Sequence, residues 1–248
     1  MKVYGSKTVY GASVGILMLE ARFPRIPGDM GNGLTWPFPV HYKTVKNASP
    51  DQVVRKGADG LLDTFIEAGL ELVDRGADGI TTNCGFLALM QDELQEALKV
   101  PVATSSLMQV PMVQATLPKN KRVGILTISE DTLTEKHLDA ANVALDTPVQ
   151  GTDAGQEFTR AILNNEEALD VDLARQDNVE FALKLAQDNP DVGAIVLECT
   201  NMVPYASDIR AATGLPVYSI YSFVSWFQSG LQPRSFDQPF LDGKPIRY

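Results

Sequence analysis

Cysteine is scarce in this chain of 248 residues: there are two, Cys84 and Cys199, 115 positions apart. Two thiols so far apart make no disulfide-rich framework and match no zinc-ligand spacing. Histidine is equally scarce, and neither His41 nor His137 has a partner at metal-ligand spacing, so no metal site is expected. Basic residues are in deficit, with 21 Lys and Arg against 31 Asp and Glu. The resulting net charge of −10 argues against nucleic acid or an anionic membrane as a partner, since both reward clustered Lys and Arg. No apolar stretch approaches the roughly 18 residues that span a bilayer. Gly28, Gly31 and Gly33 do not make G-x-G-x-x-G, so no dinucleotide site is read.

What is present suits an ordinary globular protein, with 44% hydrophobic and 21% charged residues. Lys2 and Lys7 precede a mostly apolar run over 9–19, but Gly11 and Gly15 interrupt it and Glu20-Ala21-Arg22 follows without a cleavage site. The run reads as a first core strand. Two cysteines without an export signal make a reducing cytoplasm the expected compartment, where a thiol pair serves chemistry rather than a structural disulfide.

The chain repeats itself. Val14-Gly15-Ile16-Leu17 recurs 109 residues later as Val123-Gly124-Ile125-Leu126. Cys84 ends the strand-like run 77–83 and Cys199 the run 192–198; Pro101 and Pro216 each follow their cysteine by 17 residues. Between opening strand and cysteine strand, apolar spacing predicts helices at 53–75 and 178–186. Strands alternating with helices predict parallel sheets. The expected fold is therefore α/β with two pseudo-symmetric lobes, each a parallel sheet flanked by helices, and the active site in the cleft between them. Residues 1–106 plus 214–248 form the lobe carrying Cys84, and 107–213 the lobe carrying Cys199.

Each thiol stands between a strand end and a helix start, where free N–H groups and the helix dipole lower a thiol pKa. Asn83, Gly85, Phe86, Thr200 and Asn201 flank the thiols and supply donors for a carboxylate or an enolate-like oxygen, with Thr200 and Asn201 equally suited to capping the following helix. By the repeat, Ser129 lies past the end of its opening strand as a substrate-contacting or capping hydroxyl. The Pro-, Gly- and aromatic-rich segment 22–40 predicts a loop over the cleft mouth, from which Arg22, or Arg25, can grip a carboxylate. The aromatics Tyr218, Tyr221, Phe223, Trp226 and Phe227 read as packing for a core or a subunit interface, and a homo-oligomer is expected.

The segments Thr81-Thr82-Asn83-Cys84-Gly85-Phe86 and Glu198-Cys199-Thr200-Asn201-Met202, in this duplicated layout, resemble the aspartate/glutamate/hydantoin racemase superfamily over nearly the whole chain. The resemblance implies racemisation of a small carboxylic acid without pyridoxal phosphate or another cofactor, with Cys84 and Cys199 as the two opposed bases. Glutamate racemases typically continue their cysteines as Cys-Asn-Thr and Cys-Thr-His; here Cys84-Gly85-Phe86 and Cys199-Thr200-Asn201 stand instead. These departures point away from glutamate, and Phe86 points to a less polar substrate side chain. The same resemblance admits a decarboxylase, a lyase or a cis–trans isomerase. A two-lobed binding protein without catalysis is the alternative of another class, and it leaves the matched cysteines unexplained.

Overall fold

A computed structural model describes residues 2–235. Strands β1 (Val14–Leu19), β2 (Val40–Val45), β3 (Gly79–Thr82) and β4 (Val102–Ala103) form one sheet in the order β2-β1-β3-β4. Strands β5 (Arg122–Thr127), β6 (Val149–Gly151), β7 (Val192–Leu197) and β8 (Val217–Tyr218) form a second in the order β6-β5-β7-β8. Every pairing is parallel. All six residues of β1 are buried, as helices on both faces of a parallel sheet require; hence the continuous apolar runs instead of alternation.

The duplication extends to the hydrogen-bond register. Gly15 pairs with Ile80 and Leu17 with Thr82 in the first sheet, while Gly124 pairs with Ile195 and Leu126 with Leu197 in the second. Ile80 faces Val102 as Ile195 faces Val217. Just past the ladders, the N–H of Asn83 donates to the Leu17 carbonyl at 3.0 Å, and the N–H of Glu198 donates to the Leu126 carbonyl at 2.9 Å. A one-residue slip in either half would turn its cysteine to the opposite face of the sheet, so matched register makes Cys84 and Cys199 structurally equivalent.

Three sequence expectations change. The helix expected over 53–75 is two helices, Pro50–Val54 and Leu62–Asp74. Gly57, Ala58 and Gly60 between them adopt positive φ, which a continuing right-handed helix cannot contain. The helix expected at 178–186 runs from Val171 to Asp188, because the Asp170 side chain accepts the N–H groups of Asp172 and Leu173 and starts it earlier. Strand β8 pairs with β7, so the second sheet continues past the boundary drawn at 213. The chain returns to the first lobe only with helix Ile220–Leu231, where Ile220, Phe223 and Val224 pack with Val14, Ile16 and Trp36. Residues 236–248 of the expected first lobe lie outside the described residues. Of the aromatic cluster, Phe223 is buried and stacks on Trp226, which stays more than half exposed. Among the described residues no helix is long and apolar enough to cross a membrane.

Two equivalent glycines let helices close onto these sheets. A Cβ on Gly15 would lie 2.7 Å from Ile80 Cδ1 and 3.1 Å from Leu72 Cβ, and one on Gly124 would lie 3.0 Å from Leu185 Cδ2. Overpacking a rigid core typically costs about 1–3 kcal/mol. Gly15→Ala should therefore destabilise by that amount, and more than Gly124→Ala, in urea unfolding. Equal stability of Gly15→Ala and the wild type would contradict the packing described.

Candidate functional site

The two equivalent strand ends meet across the lobes. Cys84 begins the 3-10 turn Gly85–Met90 after β3, and Cys199 begins the turn Thr200–Tyr205 after β7. Both thiols are buried, free and in the wall of one cavity. Polar residues of that wall are Asn83, Glu198, Thr200 and Asn201, while Leu19, Phe23, Val54, Phe86, Ile128 and Ile162 are among the apolar ones. Its volume of about 20 Å3 leaves room for about one water.

Hydrogen bonds tie the wall together. Asn83 Oδ1 accepts the Leu19 N–H at 2.6 Å, and its backbone carbonyl accepts the Thr200 hydroxyl from the other lobe at 2.6 Å. The Cys199 thiol donates to Asn201 Oδ1 at 3.6 Å, and Asn201 Nδ2 donates to Asp29 Oδ2 at 2.6 Å. Asp29 belongs to the segment 22–40 and pairs with Arg25 at 2.8 Å. The Arg25 guanidinium in turn lies 4.7 Å above the Phe23 ring, which faces the cavity. Thus the loop expected at the cleft mouth does contribute to the wall, and a carboxylate, an amide and a thiol link it to the second lobe.

Asn83, Gly85, Phe86, Thr200 and Asn201 all line the cavity with the cysteines. Arg22 does not: its side chain is 75% exposed and sits 3.5 Å from Glu167 on the surface. The chain turns inward only at Phe23, so Arg25 is the arginine whose charge reaches Cys84. Ser129 is buried outside the cavity wall; its N–H donates to the Thr127 hydroxyl, and Ile128 takes the place facing the cavity. Among the described residues, no three His, Cys, Asp or Glu side chains converge as a metal-binding group.

Sequence reasoning missed Glu198. It is fully buried, with Oε2 accepting the Thr127 hydroxyl at 2.8 Å and Oε1 without a donor among the described residues. A Cβ on Gly85 would fall 2.1 Å from that Oε1, so only glycine lets the carboxyl lie here. The available signal was a single carboxylate ending the apolar run 192–197, at the place where the first repeat carries Asn83.

Burial, more than any neighbour, sets the charge states. It raises the Glu198 carboxyl to about 7, against the opposing pull of the Thr127 hydroxyl and the Ile128 N–H. Burial and then the Glu198 charge push the Cys84 thiol up; the N–H groups of Phe86 and Leu87 and the charge of Arg25 oppose them only in part. Burial and then Glu198 raise Cys199 as well, with Cys84 and Asp29 adding to the rise and only the Asn201 N–H among the causes working against it. The lowered thiol pKa expected at a helix start is therefore corrected. The N–H donors are in place, but short 3-10 turns in a desolvated seam do not outweigh burial.

Among curated proteins, a dimethylsulfoniopropionate lyase from Durusdinium sp. clade D is 29% identical over 231 residues, covering 88% of this chain and 75% of that protein. Dimethylsulfoniopropionate lyase 7 from Emiliania huxleyi (strain CCMP1516) is 27% identical over 238 residues, covering 88% of this chain and 67% of that protein. No protein-family model matches. Of solved structures, an arylmalonate decarboxylase variant superposes with a TM-score of 0.60 at 18% identity, covering 88% of this chain and 92% of its own. A glutamate racemase from Bacillus anthracis follows at 0.58 and 17%, covering 89% and 81%. The fold is that of arylmalonate decarboxylase and glutamate racemase. Relatives by sequence and neighbours by structure are named for different reactions, lyase on one side, decarboxylase and racemase on the other.

The raised Glu198 carboxyl has a consequence for stability. With a folded pKa of about 7 against an ordinary 4.5, the unfolded chain loses this proton first, so wild-type stability falls as pH rises from 4.5 through 7. The loss amounts to about 3 kcal/mol at 1.36 kcal/mol per pKa unit. Glu198→Gln cannot titrate there, so its stability relative to the wild type should rise by about that much over the same window. Urea unfolding at several pH values measures it, and a pH-independent difference would refute a buried, raised carboxyl.

Proposed function

We propose that this protein is a lyase acting by proton abstraction at the carbon next to a carboxylate, with its own cysteines as acid–base groups and a β-substituted propionate as substrate. The observation that carries this reading is that the two thiols line one cavity whose equivalent wall positions have diverged, to Asn83 in one lobe and Glu198 in the other. The sequence relatives' names support β-elimination as the outcome and dimethylsulfoniopropionate as the substrate to test.

The chemistry balances within the site. A thiolate takes the α-proton, the C–H pair becomes the new C=C bond, and the C–S bond breaks with its electrons leaving on sulfur. Dimethylsulfoniopropionate would yield dimethyl sulfide and acrylate, with the proton held on the cysteine. We assign the base role to Cys84, because two N–H groups and the Arg25 charge favour its thiolate, whereas Asp29 and Cys84 itself disfavour that of Cys199. Arg25 Nη2, buried with no acceptor among the described residues, is the group assigned to the substrate carboxylate.

Racemisation is the second reading, favoured by the equivalence of the two thiols, since inversion needs an acid opposite every base. Against it stands the unequal wall: Asn83 beside one thiol, Glu198 beside the other. An elimination runs one way and tolerates that asymmetry.

Headspace gas chromatography for dimethyl sulfide tests the lyase, and chiral chromatography of amino acids incubated in D2O tests the racemase. Cys84→Ala should lower sulfide release by about 10²–10⁴-fold, the usual worth of a positioned general base, and Cys199→Ala should lower it less. Loss of racemisation in both variants, with no sulfide released by the wild type, would replace the lyase with the racemase.

A further inference from the structure

From the seam between the lobes we infer that Glu198 makes the cavity selective for a substrate bearing an onium cation, with its unpaired Oε1 set against the positive group. The inference rests on the lyase reading for its substrate class.

Glu198 lines the cavity and has no exposed surface. One carboxyl oxygen is held by Thr127, while Oε1 lies over the bare Cα of Gly85 with no donor among the described residues. Burying a carboxylate oxygen unpaired is costly, and natural sites keep such groups where a ligand completes them. Its surroundings limit what that ligand can be. Leu19, Phe23, Phe86, Ile128 and Ile162 make much of the wall an apolar surface, better suited to methyl groups than to several N–H donors. A sulfonium or quaternary ammonium has no N–H to satisfy, carries its charge beneath methyl groups, and packs against aromatic faces such as Phe23 and Phe86. A second carboxylate in the place of the onium group would put a like charge beside Glu198 in a low dielectric, so such a substrate is disfavoured by the same group. The positive charge would also offset the field through which Glu198 raises both thiols. Binding the correct substrate thus helps to create the thiolate that attacks it.

The test compares 3-(trimethylammonio)propanoate with its uncharged carbon isostere, 4,4-dimethylpentanoate, by isothermal titration calorimetry at pH 8. The wild type should bind the onium at least about tenfold more tightly, the scale of one desolvated charge pair. Glu198→Gln should bring the two affinities within about threefold while still binding the isostere. The wild-type comparison needs no variant, so it decides even if Glu198→Gln folds poorly. No preference in the wild type, binding of neither acid, or a preference that survives in Glu198→Gln would each overturn the inference. A wild type that prefers the onium yet releases no sulfide would leave this recognition standing and remove the lyase reading alone.

Discussion

The hydrogen bond from the Thr200 hydroxyl to the Asn83 carbonyl, 2.6 Å across the lobes, joins the two places where the duplicated sheets end. A strand that stops at a buried seam leaves a carbonyl with no ladder partner, and an unpaired buried carbonyl is costly. Supplying that partner from the opposite lobe turns a requirement of folding into the device that aligns the site. Asn83 is held from a second side through the Leu19 N–H, so β1, the β3 end and the β7 end are located relative to one another by one residue. The thiols are the neighbours of these two residues and are placed with them.

The same seam explains why the site is electrostatically uneven. Closing the lobes removes water from Glu198 and from both cysteines, and desolvation favours the neutral form of all three. Such a site disfavours the thiolates, while a Glu198 carboxyl at about 7 divides between its charged and neutral forms near neutral pH. In the proposed reaction, reactivity depends on charge brought in from outside, a carboxylate toward Arg25 and a cation toward Glu198. The cavity has room for about one water, so bulk solvent is kept from the thiols.

The fold supplies groups at two equivalent strand ends, where β3 and β7 stop. What differs is the residue set around those groups. Here the duplicated positions have diverged to Asn83 on one side and Glu198 on the other, while the register beneath them is unchanged. The backbone keeps the symmetry and the side chains break it.

Local pattern made the fold legible. Apolar runs of strand length, helical spacing between them, and prolines at fixed distance from each cysteine all survive in a linear reading, because each reports contacts made within one βαβ unit. The sequence by itself thus determined the two lobes, the parallel sheets and the equivalence of Cys84 with Cys199. It misjudged the helix over 53–75, where successive positive φ values break an apolar periodicity that runs on regardless. Only the tertiary structure left Arg22 on the surface while bringing the Arg25 charge within reach of Cys84, removed Ser129 from the wall, raised the thiols instead of lowering them, and put Glu198 in the wall. Each of those outcomes depends on what the other lobe or a folded-back loop brings near, and on how much water the closed seam excludes. Burial and apposition are properties of the assembled lobes, and no spacing along the chain encodes them.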